Sequence, residues 1–91
     1  MTPDLPRAGT VTLFTTHWCP YCLRLKATLR REGVPFNEVD IGSSEDGSVF
    51  VMSVNGGNET VPTVLFPDGS TLTNPSAGQV RSRLATTHDA L

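Results

Sequence analysis

The hydrophobic and polar positions of this chain alternate between short apolar runs and longer amphipathic stretches. Residues 11–16 are rich in β-branched and aromatic side chains, which is typical of a buried strand. Residues 35–41, 60–66 and 70–73 have the same character and predict three further strands. The longer stretches between and after these runs predict three helices, so that the order of elements is β-α-β-α-β-β-α.

The first helix has the clearest boundaries. We expect it to begin at Pro20, because the missing N–H of a proline costs nothing at the first helical position. Gly33 suits the position just after the helix end, where glycine accepts a left-handed conformation. The core-facing stripe follows the spacing i, i+3, i+7 and consists of Cys22, Leu25 and Leu29.

The other two helices are placed by their candidate capping residues. Residues 43–55 form the second helix with Ser43 as its cap, because an acidic residue three positions later is typical of a capping box. Residues 74–88 form the third helix, with Asn74 as its cap and Pro75 at the first helical position.

These elements predict one α/β domain. Strand, helix and strand at the front of the chain require a parallel strand pair with a right-handed crossover. A tight turn at Asp68 and Gly69 then closes an antiparallel hairpin. The predicted fold is a mixed four-stranded sheet with three helices on its faces. We expect residues 1–9 to be a flexible tail and residues 10–91 to form the domain.

Composition and charge argue against several classes of function. The 91 residues carry a net charge of −2 with mixed signs and no basic stripe, which disfavours a nucleic-acid surface. The N-terminal stretch lacks the apolar run of a signal peptide, and no segment reaches membrane length. We therefore expect a cytoplasmic protein that binds neither nucleic acid nor membrane, in a compartment where thiols are kept reduced.

Both cysteines lie in the stretch TTHWCPYCLRLK, residues 15–26. Cys19 stands at the cap position before Pro20, near unpaired N–H groups at the positive end of the helix, and this environment stabilises a thiolate. Cys22 follows one turn later, about 5 Å away between Cα atoms, which is within disulfide range. Because Cys22 is more interior, we expect Cys19 to attack as the nucleophile and Cys22 to resolve.

Two other interpretations of the cysteine pair are weaker. A structural disulfide would close a very short loop and would add little stability. A zinc site could add His17, but structural zinc needs four ligands, and His88 lies far along the chain. A CxxC motif that follows a buried strand and opens a helix favours redox chemistry. No metal ligand set is predicted.

The stretch TVP, residues 60–62, is the second candidate part of the site. A proline at the mouth of a strand cannot continue the ladder of hydrogen bonds. If the Val61–Pro62 bond is cis, the backbone of Val61 turns outward and can pair with an extended thiol substrate, as an added strand would. An edge proline that only blunts strand pairing is the alternative. Beside the CxxC motif we favour substrate binding by Thr60, Val61 and Pro62.

Several side chains around the cysteines allow two interpretations. Trp18 and Tyr21 form an apolar wall for the substrate, which we favour, or cover the edge of the core. His17 is expected to be an exposed turn residue rather than a proton carrier. Arg24 and Lys26 either raise the local positive potential or lie on a solvated helix face.

The motifs together resemble a known family. CPYC between a strand and a helix, followed some forty residues later by TVP, is similar to the glutaredoxins of the thioredoxin fold. A narrower resemblance runs from about Val11 to Leu84. The stretches WC, YCLRLK, VDI, SVNGGN, TVPTV and DGSTLTNPS resemble the mycoredoxins, the actinobacterial glutaredoxin-like proteins that use mycothiol in place of glutathione.

The departures from glutaredoxins concern charge. Glutathione-dependent members commonly carry a lysine three positions before the first cysteine, where this chain has Thr16. They also carry acidic residues at the opening of the last helix, where residues 72–76 have none. Thr73, Asn74 and Ser76 offer neutral hydrogen-bond groups there, which suit a thiol built on a sugar and an inositol. Pro20 is the glutaredoxin choice, whereas mycoredoxins often have a small residue there.

The resemblance implies a thiol-disulfide oxidoreductase without a tightly bound cofactor. Its co-substrate would be mycothiol, and its partners would be mycothiolated proteins and an NADPH-dependent mycothiol disulfide reductase. We expect a monomer. The alternatives are a dithiol redoxin reduced by thioredoxin reductase or by glutathione, and a non-catalytic iron–sulfur carrier, which Pro20 and Cys22 both disfavour.

Overall fold

The computed structural model describes residues 4–87 and confirms the predicted order of elements. The strands are β1 (Val11–Thr15), β2 (Phe36–Asp40), β3 (Thr63–Leu65) and β4 (Thr71–Thr73). The helices are α1 (Pro20–Arg31), α2 (Glu45–Val54) and α3 (Ala77–Thr87). The predicted last residue of the third helix, His88, lies outside the described residues. The division into a tail of residues 1–9 and a domain of residues 10–91 stays a prediction.

The strands form one mixed sheet in the order β2-β1-β3-β4. β1 and β2 run parallel, whereas β1 with β3 and β3 with β4 run antiparallel, as predicted. This topology has one consequence for the site. The carboxyl ends of β1, β2 and β4 and the start of β3 all lie at the same edge of the sheet.

The core lies on both faces of this sheet. Side chains of β1 alternate between the faces, because successive residues of a strand point to opposite sides. One cluster packs under α1 and α3 and contains Val11, Leu13, Leu25, Leu29, Val64, Phe66, Val80 and Leu84. The other cluster packs under α2 and contains Phe14, Ile41, Phe50, Val51 and Leu65.

None of the helices within residues 4–87 is long and apolar enough to cross a membrane.

The third strand is shorter than the sequence predicts. Residues 60–66 were expected to be extended, but only Thr63–Leu65 pair with neighbours. Pro62 has no N–H to donate to the ladder, so regular pairing begins after it. Residues 60–62 therefore form an irregular segment in front of β3, and the strand itself is fully buried.

The boundaries of α1 are as predicted, whereas the cap of α2 is not. α1 has Cys19 as its N-cap, and Gly33 follows its end with a positive φ of 73°. The expectation that Ser43 caps α2 is wrong. The hydroxyl oxygen of Ser44 accepts the hydrogen bond from the N–H of Gly47, at 3.1 Å, and the helix begins one residue later than expected.

The prediction that Asn74 caps the last helix, with Pro75 at the first helical position, is also wrong, because α3 begins at Ala77. Asn74 takes a left-handed conformation with φ of 50°. The hydroxyl oxygen of Ser76 accepts from the N–H of Gln79 at 3.1 Å, and the N–H of Ser76 donates to the side chain of Gln79 at 2.8 Å. This reciprocal pair is a capping box. It leaves residues 74–76 as a turn beside the sheet edge.

Substitutions at residues 74 and 76 test this assignment. Ser76→Ala should lower the free energy of unfolding by about 1 kcal/mol, because it removes the acceptor for an orphan helix N–H. Asn74→Gly should change it by only a few tenths of a kcal/mol, because glycine tolerates a positive φ at least as well as asparagine. Urea denaturation of both variants measures the difference. A larger loss for Asn74→Gly than for Ser76→Ala would contradict the assignment.

Candidate active site

The sheet edge brings the predicted site residues together. Cys19 follows β1 and is tied back to it, because its N–H donates to the carbonyl of Thr16 at 3.3 Å. Residues 60–62 precede the adjacent β3, and residues 74–76 follow β4. The N–H of Asn74 donates to the carbonyl of Pro62 at 2.7 Å and joins these two segments. Residues from three distant parts of the sequence thus surround the start of α1.

The two cysteines have different positions in α1. Cys19 is the N-cap with extended backbone angles, and its sulfur accepts a hydrogen bond of 3.1 Å from the N–H of Cys22. Both thiols are free. Cys19 is 6% exposed and Cys22 is 1% exposed. A sulfur at a helix N-terminus that accepts a backbone N–H is stabilised when it is negatively charged.

The thiol of Cys22 keeps its proton near neutral pH. Burial raises the pKa of its thiol to about 12, and the side-chain hydrogen bond with Cys19 acts in the same direction. A backbone N–H of Thr16 and the charge of Lys26 oppose this shift without cancelling it. The two sulfurs therefore differ in their surroundings: one accepts a backbone N–H at the helix start, and the other is buried and keeps its proton.

Lys26 does not lie on a solvated helix face, and its charge acts to lower the pKa of Cys22, as the interpretation of a raised positive potential predicts. Its side chain is 15% exposed and donates to Glu38 at 2.8 Å. The buried hydroxyl of Thr15 donates to the same carboxylate oxygen at 2.7 Å. Burial acts to raise the pKa of Glu38, but the hydrogen bonds from Lys26 and Thr15 outweigh it, and the pKa is lowered. Arg24 is exposed instead and lies 6.0 Å over the ring of Tyr21.

Trp18 and Tyr21 do not cover the core edge, because they are 66% and 56% exposed. They line two different hollows next to the cysteine pair. The larger, called here the Tyr21 groove, has a volume of about 390 Å³. Its lining includes Tyr21, Arg24, Thr28, Asn74, Pro75 and Ser76. The smaller, the Trp18 cavity, measures about 190 Å³ and is lined by Thr16, Trp18, Ile41, Gly42, Glu59 and Val61.

The segment before β3 presents free backbone groups to the site. The Val61–Pro62 peptide bond is cis. Within residues 4–87 no hydrogen bond is formed by the N–H or the carbonyl of Val61. Thr60 is held by its carbonyl, which accepts from the hydroxyl of Thr63 at 2.8 Å. Val61 therefore has an unpaired peptide group in a segment fixed on both sides.

Asn55 is a supporting residue that the sequence did not reveal. Its amide nitrogen donates to the hydroxyl of Thr63 at 3.1 Å and to the carbonyl of Val51 at 2.8 Å. Its amide oxygen accepts from the hydroxyl of Thr73 at 2.6 Å. One side chain at the end of α2 thus ties together β3 and β4. An asparagine before two glycines looks like an ordinary helix stop, so its partners could not be read from sequence.

The three neutral hydrogen-bond groups near the last helix are not equally available. The hydroxyl of Thr73 is engaged with Asn55, and the hydroxyl of Ser76 caps α3. Thr73 lines neither the Tyr21 groove nor the Trp18 cavity. The side chain of Asn74 forms no hydrogen bond within the described part of the chain and lines the Tyr21 groove. Of the three, Asn74 has the freest donor and acceptor groups.

His17 is an exposed turn residue, as expected. Its ring nitrogen Nδ1 lies 3.4 Å from a carboxylate oxygen of Asp40, and its ring meets Trp18 edge-on, with 4.6 Å between centroids. Among residues 4–87 no group of three or more His, Cys, Asp or Glu side chains is arranged to hold a metal ion.

A dithiol at the start of the first helix, on this sheet, defines a class of protein: a thiol-disulfide oxidoreductase of the thioredoxin fold. Comparison with known proteins narrows the class. The family model described as Glutaredoxin matches residues 11–70. The crystal structure of the holo form of glutaredoxin C1 from Populus tremula x tremuloides superimposes with a TM-score of 0.57 at 25% identity, over 86% of this chain and 76% of that one.

Two sequence relatives are similar over most of their length. A candidate glutaredoxin of Mycobacterium tuberculosis is 57% identical over 74 residues, which cover 81% of this chain and 88% of the relative. Mycoredoxin 1 of Corynebacterium glutamicum is 40% identical over 74 residues, which cover 81% of this chain and 91% of the relative. The chain belongs to the glutaredoxin family. Glutaredoxins need no tightly bound cofactor.

The raised pKa of Cys22 predicts an order of reaction with alkylating reagents. Near neutral pH, iodoacetamide should modify Cys19 well before Cys22, and Cys22 should become reactive only as the pH rises toward about 12. Peptide mapping by mass spectrometry distinguishes the two sites, with denatured protein as the control in which both react. Rapid modification of Cys22 near neutral pH in the folded protein would contradict the shift.

The same shift sets the direction of a stability change with pH. In the unfolded chain the Cys22 thiol ionises near its ordinary pKa of 9.0, whereas the folded protein keeps the proton until about 12. Between these values the unfolded state binds fewer protons, so stability falls as pH rises. The stability that the protonated Cys22 contributes is fully present below about pH 9 and is lost as the pH rises from about 9 to about 12. A Cys22→Ala variant, which lacks this thiol, should show a smaller decrease in the free energy of unfolding over the same pH range.

Proposed function

We propose that this protein reduces mixed disulfides between mycothiol and proteins, with Cys19 as the nucleophile and Cys22 as the resolving cysteine. The asymmetry of the pair supports these roles. The sulfur of Cys19 accepts the N–H of Cys22 at the helix start, whereas Cys22 is buried and protonated. Attack requires a thiolate, so the two sulfurs cannot exchange roles without cost.

The reaction begins when the Cys19 thiolate attacks the mycothiol sulfur of a protein–mycothiol disulfide. That disulfide bond breaks as the bond between Cys19 and mycothiol forms, and the target sulfur leaves with the electron pair and takes a proton from water. A second mycothiol thiolate then attacks the mycothiol sulfur on Cys19. This step releases Cys19 and forms mycothiol disulfide, which an NADPH-dependent mycothiol disulfide reductase reduces with two electrons.

Cys22 offers a second route for resolution. It could attack Cys19 within the mixed disulfide, release mycothiol and leave an internal disulfide. Because this attack requires the thiolate, the raised pKa of Cys22 makes internal closure slow near neutral pH. The route through Cys19 alone is therefore favoured for mycothiol mixed disulfides, and internal closure serves as a side state or for protein disulfides.

The charges around Cys19 favour mycothiol over glutathione as the substrate thiol. Where glutathione-dependent relatives commonly place a lysine for the glutathione carboxylate, this chain has Thr16, which lines the Trp18 cavity. The charged group in that cavity is the carboxylate of Glu59, which would repel another carboxylate. On the other side, residues 72–76 bear no carboxylate that could hold an ammonium group. The similarity to Mycoredoxin 1 supports the same substrate.

Binding of the substrate peptide group is assigned to the segment before β3. Thr60 and Pro62 flank Val61, whose N–H and carbonyl form no hydrogen bond within residues 4–87. An extended thiol compound can pair with this peptide group as an added strand would. Trp18 and Tyr21 flank the reacting thiol of Cys19, and Asn74 offers its amide group to the substrate. The hydroxyls of Thr73 and Ser76 belong to the same part of the site but are already bonded within the protein. We further propose a monomeric cytoplasmic protein.

A dithiol redoxin reduced by thioredoxin reductase or by glutathione is the second candidate. The observation that favours it is Pro20 between the cysteines, which matches dithiol glutaredoxins. The residues between the cysteines help to set the reduction potential of the pair.

Serine variants separate the two routes. Cys19→Ser should abolish reduction of mycothiol mixed disulfides, because no second thiolate can replace the nucleophile. Cys22→Ser should keep most of this activity, because the second mycothiol resolves the intermediate. Release of mycothiol from a labelled protein disulfide, followed over time, measures both. Residual turnover by Cys19→Ser would refute the role of Cys19, and complete loss in Cys22→Ser would indicate a dithiol mechanism.

Two reconstituted electron chains test the thiol specificity. One contains mycothiol and its disulfide reductase, and the other contains glutathione and glutathione reductase, with the same small disulfide substrate. We expect NADPH consumption with mycothiol and a rate at least tenfold lower with glutathione, since a like charge and a missing cation both oppose the tripeptide. Turnover with glutathione alone would contradict the proposal. Activity in neither chain, but with thioredoxin reductase, would support the second candidate.

A further inference from the structure

The Trp18 cavity contains a polar group that the protein leaves without a partner. Thr16 is 7% exposed, and its hydroxyl is buried with no hydrogen-bond partner among the described residues. A buried hydroxyl without a partner costs free energy in the folded state. Because Thr16 also lines the cavity, a ligand bound there could supply the missing hydrogen bond. Nucleophilic attack by Cys19 does not itself require this hydroxyl.

Glu59 adds an acceptor at the rim of the same cavity. One of its carboxylate oxygens accepts a hydrogen bond from Ser48, and the other forms none within residues 4–87. An ionised carboxylate can only accept hydrogen bonds, so it favours ligands that donate. A ligand carboxylate is disfavoured at this position by like charge.

Trp18 and Gly42 give the cavity an open apolar wall. The indole of Trp18 is largely exposed. A Cβ atom placed on Gly42 would lie 3.9 Å from the indole and 3.1 Å from a carboxylate oxygen of Asp40. The glycine therefore keeps free a space that a side chain would narrow. Ile41 and Val61 complete the apolar part of the lining.

We propose that the Trp18 cavity binds the sugar ring of mycothiol, an assignment that rests on the function proposed above. A sugar ring presents a C–H face that packs on an aromatic ring, and hydroxyls that both donate and accept hydrogen bonds. Glu59 accepts from these hydroxyls, and Thr16 gains the partner that it lacks. The volume of about 190 Å³ suits one ring rather than the whole thiol, so the inositol extends outside the cavity.

The position of the cavity fits this assignment. Trp18 directly precedes Cys19, and Val61 lines the cavity and also carries the unpaired peptide group. A thiol compound paired with Val61 would thus bring its next group into the cavity. A protonated side chain of the target protein is the competing occupant, but it presents only donors, whereas sugar hydroxyls can donate to Glu59 and also accept from the Thr16 hydroxyl.

The test compares two substrates that share one carrier peptide. In one, the peptide cysteine forms a disulfide with mycothiol, and in the other with N-acetylcysteine amide, a thiol that has no sugar. The variants are Glu59→Gln and Thr16→Val, with Glu45→Gln as the matched control, because Glu45 is exposed and lines neither the Trp18 cavity nor the Tyr21 groove. For each variant, kcat/KM is measured on both substrates.

We expect the loss caused by Glu59→Gln and by Thr16→Val to be roughly tenfold larger for the mycothiol substrate than for the sugar-free one. Glu45→Gln should show no such difference. Thr16→Val should unfold at the same temperature or higher, because it removes an unpaired buried hydroxyl. A variant that is slower on the mycothiol substrate but as stable as the wild-type protein would distinguish sugar binding from a structural role.

Other outcomes would overturn the inference. Equal losses on both substrates would assign Glu59 and Thr16 to the structure of the site and not to the sugar. A loss that depends on a lysine or arginine next to the peptide cysteine would assign the cavity to the target protein. Failure of the proposed function itself is recognised separately, because the unmodified protein would then show no preference for the mycothiol substrate over a glutathione one.

Discussion

The hydrogen bond from the N–H of Cys22 to the sulfur of Cys19 is the interaction on which the site depends. It is 3.1 Å long and exists only because α1 begins at Pro20, with Cys19 in the cap position. The apolar stripe of α1 fixes that start, since Leu25 and Leu29 are buried against the sheet. A helix start displaced by one residue would remove the donor from the Cys19 sulfur. Core packing and the chemistry of the thiol are therefore set by the same helix.

The sheet topology then decides what surrounds this sulfur. Because three strands end and one begins at the same edge, residues 60–62 and 74–76 meet the start of α1 although they are far away in sequence. The Tyr21 groove and the Trp18 cavity are lined by charged residues of opposite sign. Arg24 lies along the Tyr21 groove and Glu59 lies along the Trp18 cavity. An asymmetric small thiol can be oriented between them, and a carboxylate is disfavoured on the Glu59 side.

The sequence predicted the order of elements, the sheet and the cysteine pair, because each of these is written in local patterns: the apolar runs, the spacing of the α1 stripe, and Pro20 after Cys19. It misplaced the caps of α2 and α3. The capping-box spacing favours Ser43, which has Asp46 three residues later, over Ser44, which has Gly47 there, and an asparagine before a proline imitates a helix start. The partners of Asn55, Lys26 and Thr16 depend on elements that meet only in the folded chain. No local pattern could reveal that Lys26 pairs with Glu38 or that the Thr16 hydroxyl has no partner.

The most direct test of the assigned roles identifies the sulfur that carries the first covalent intermediate. Reduced protein is mixed with a peptide–mycothiol disulfide, quenched with acid at early times, and mapped by mass spectrometry. We expect mycothiol attached to Cys19, with the peptide released as a free thiol. Mycothiol on Cys22, or the peptide itself joined to Cys19, would contradict both the asymmetry of the pair and the orientation of the substrate.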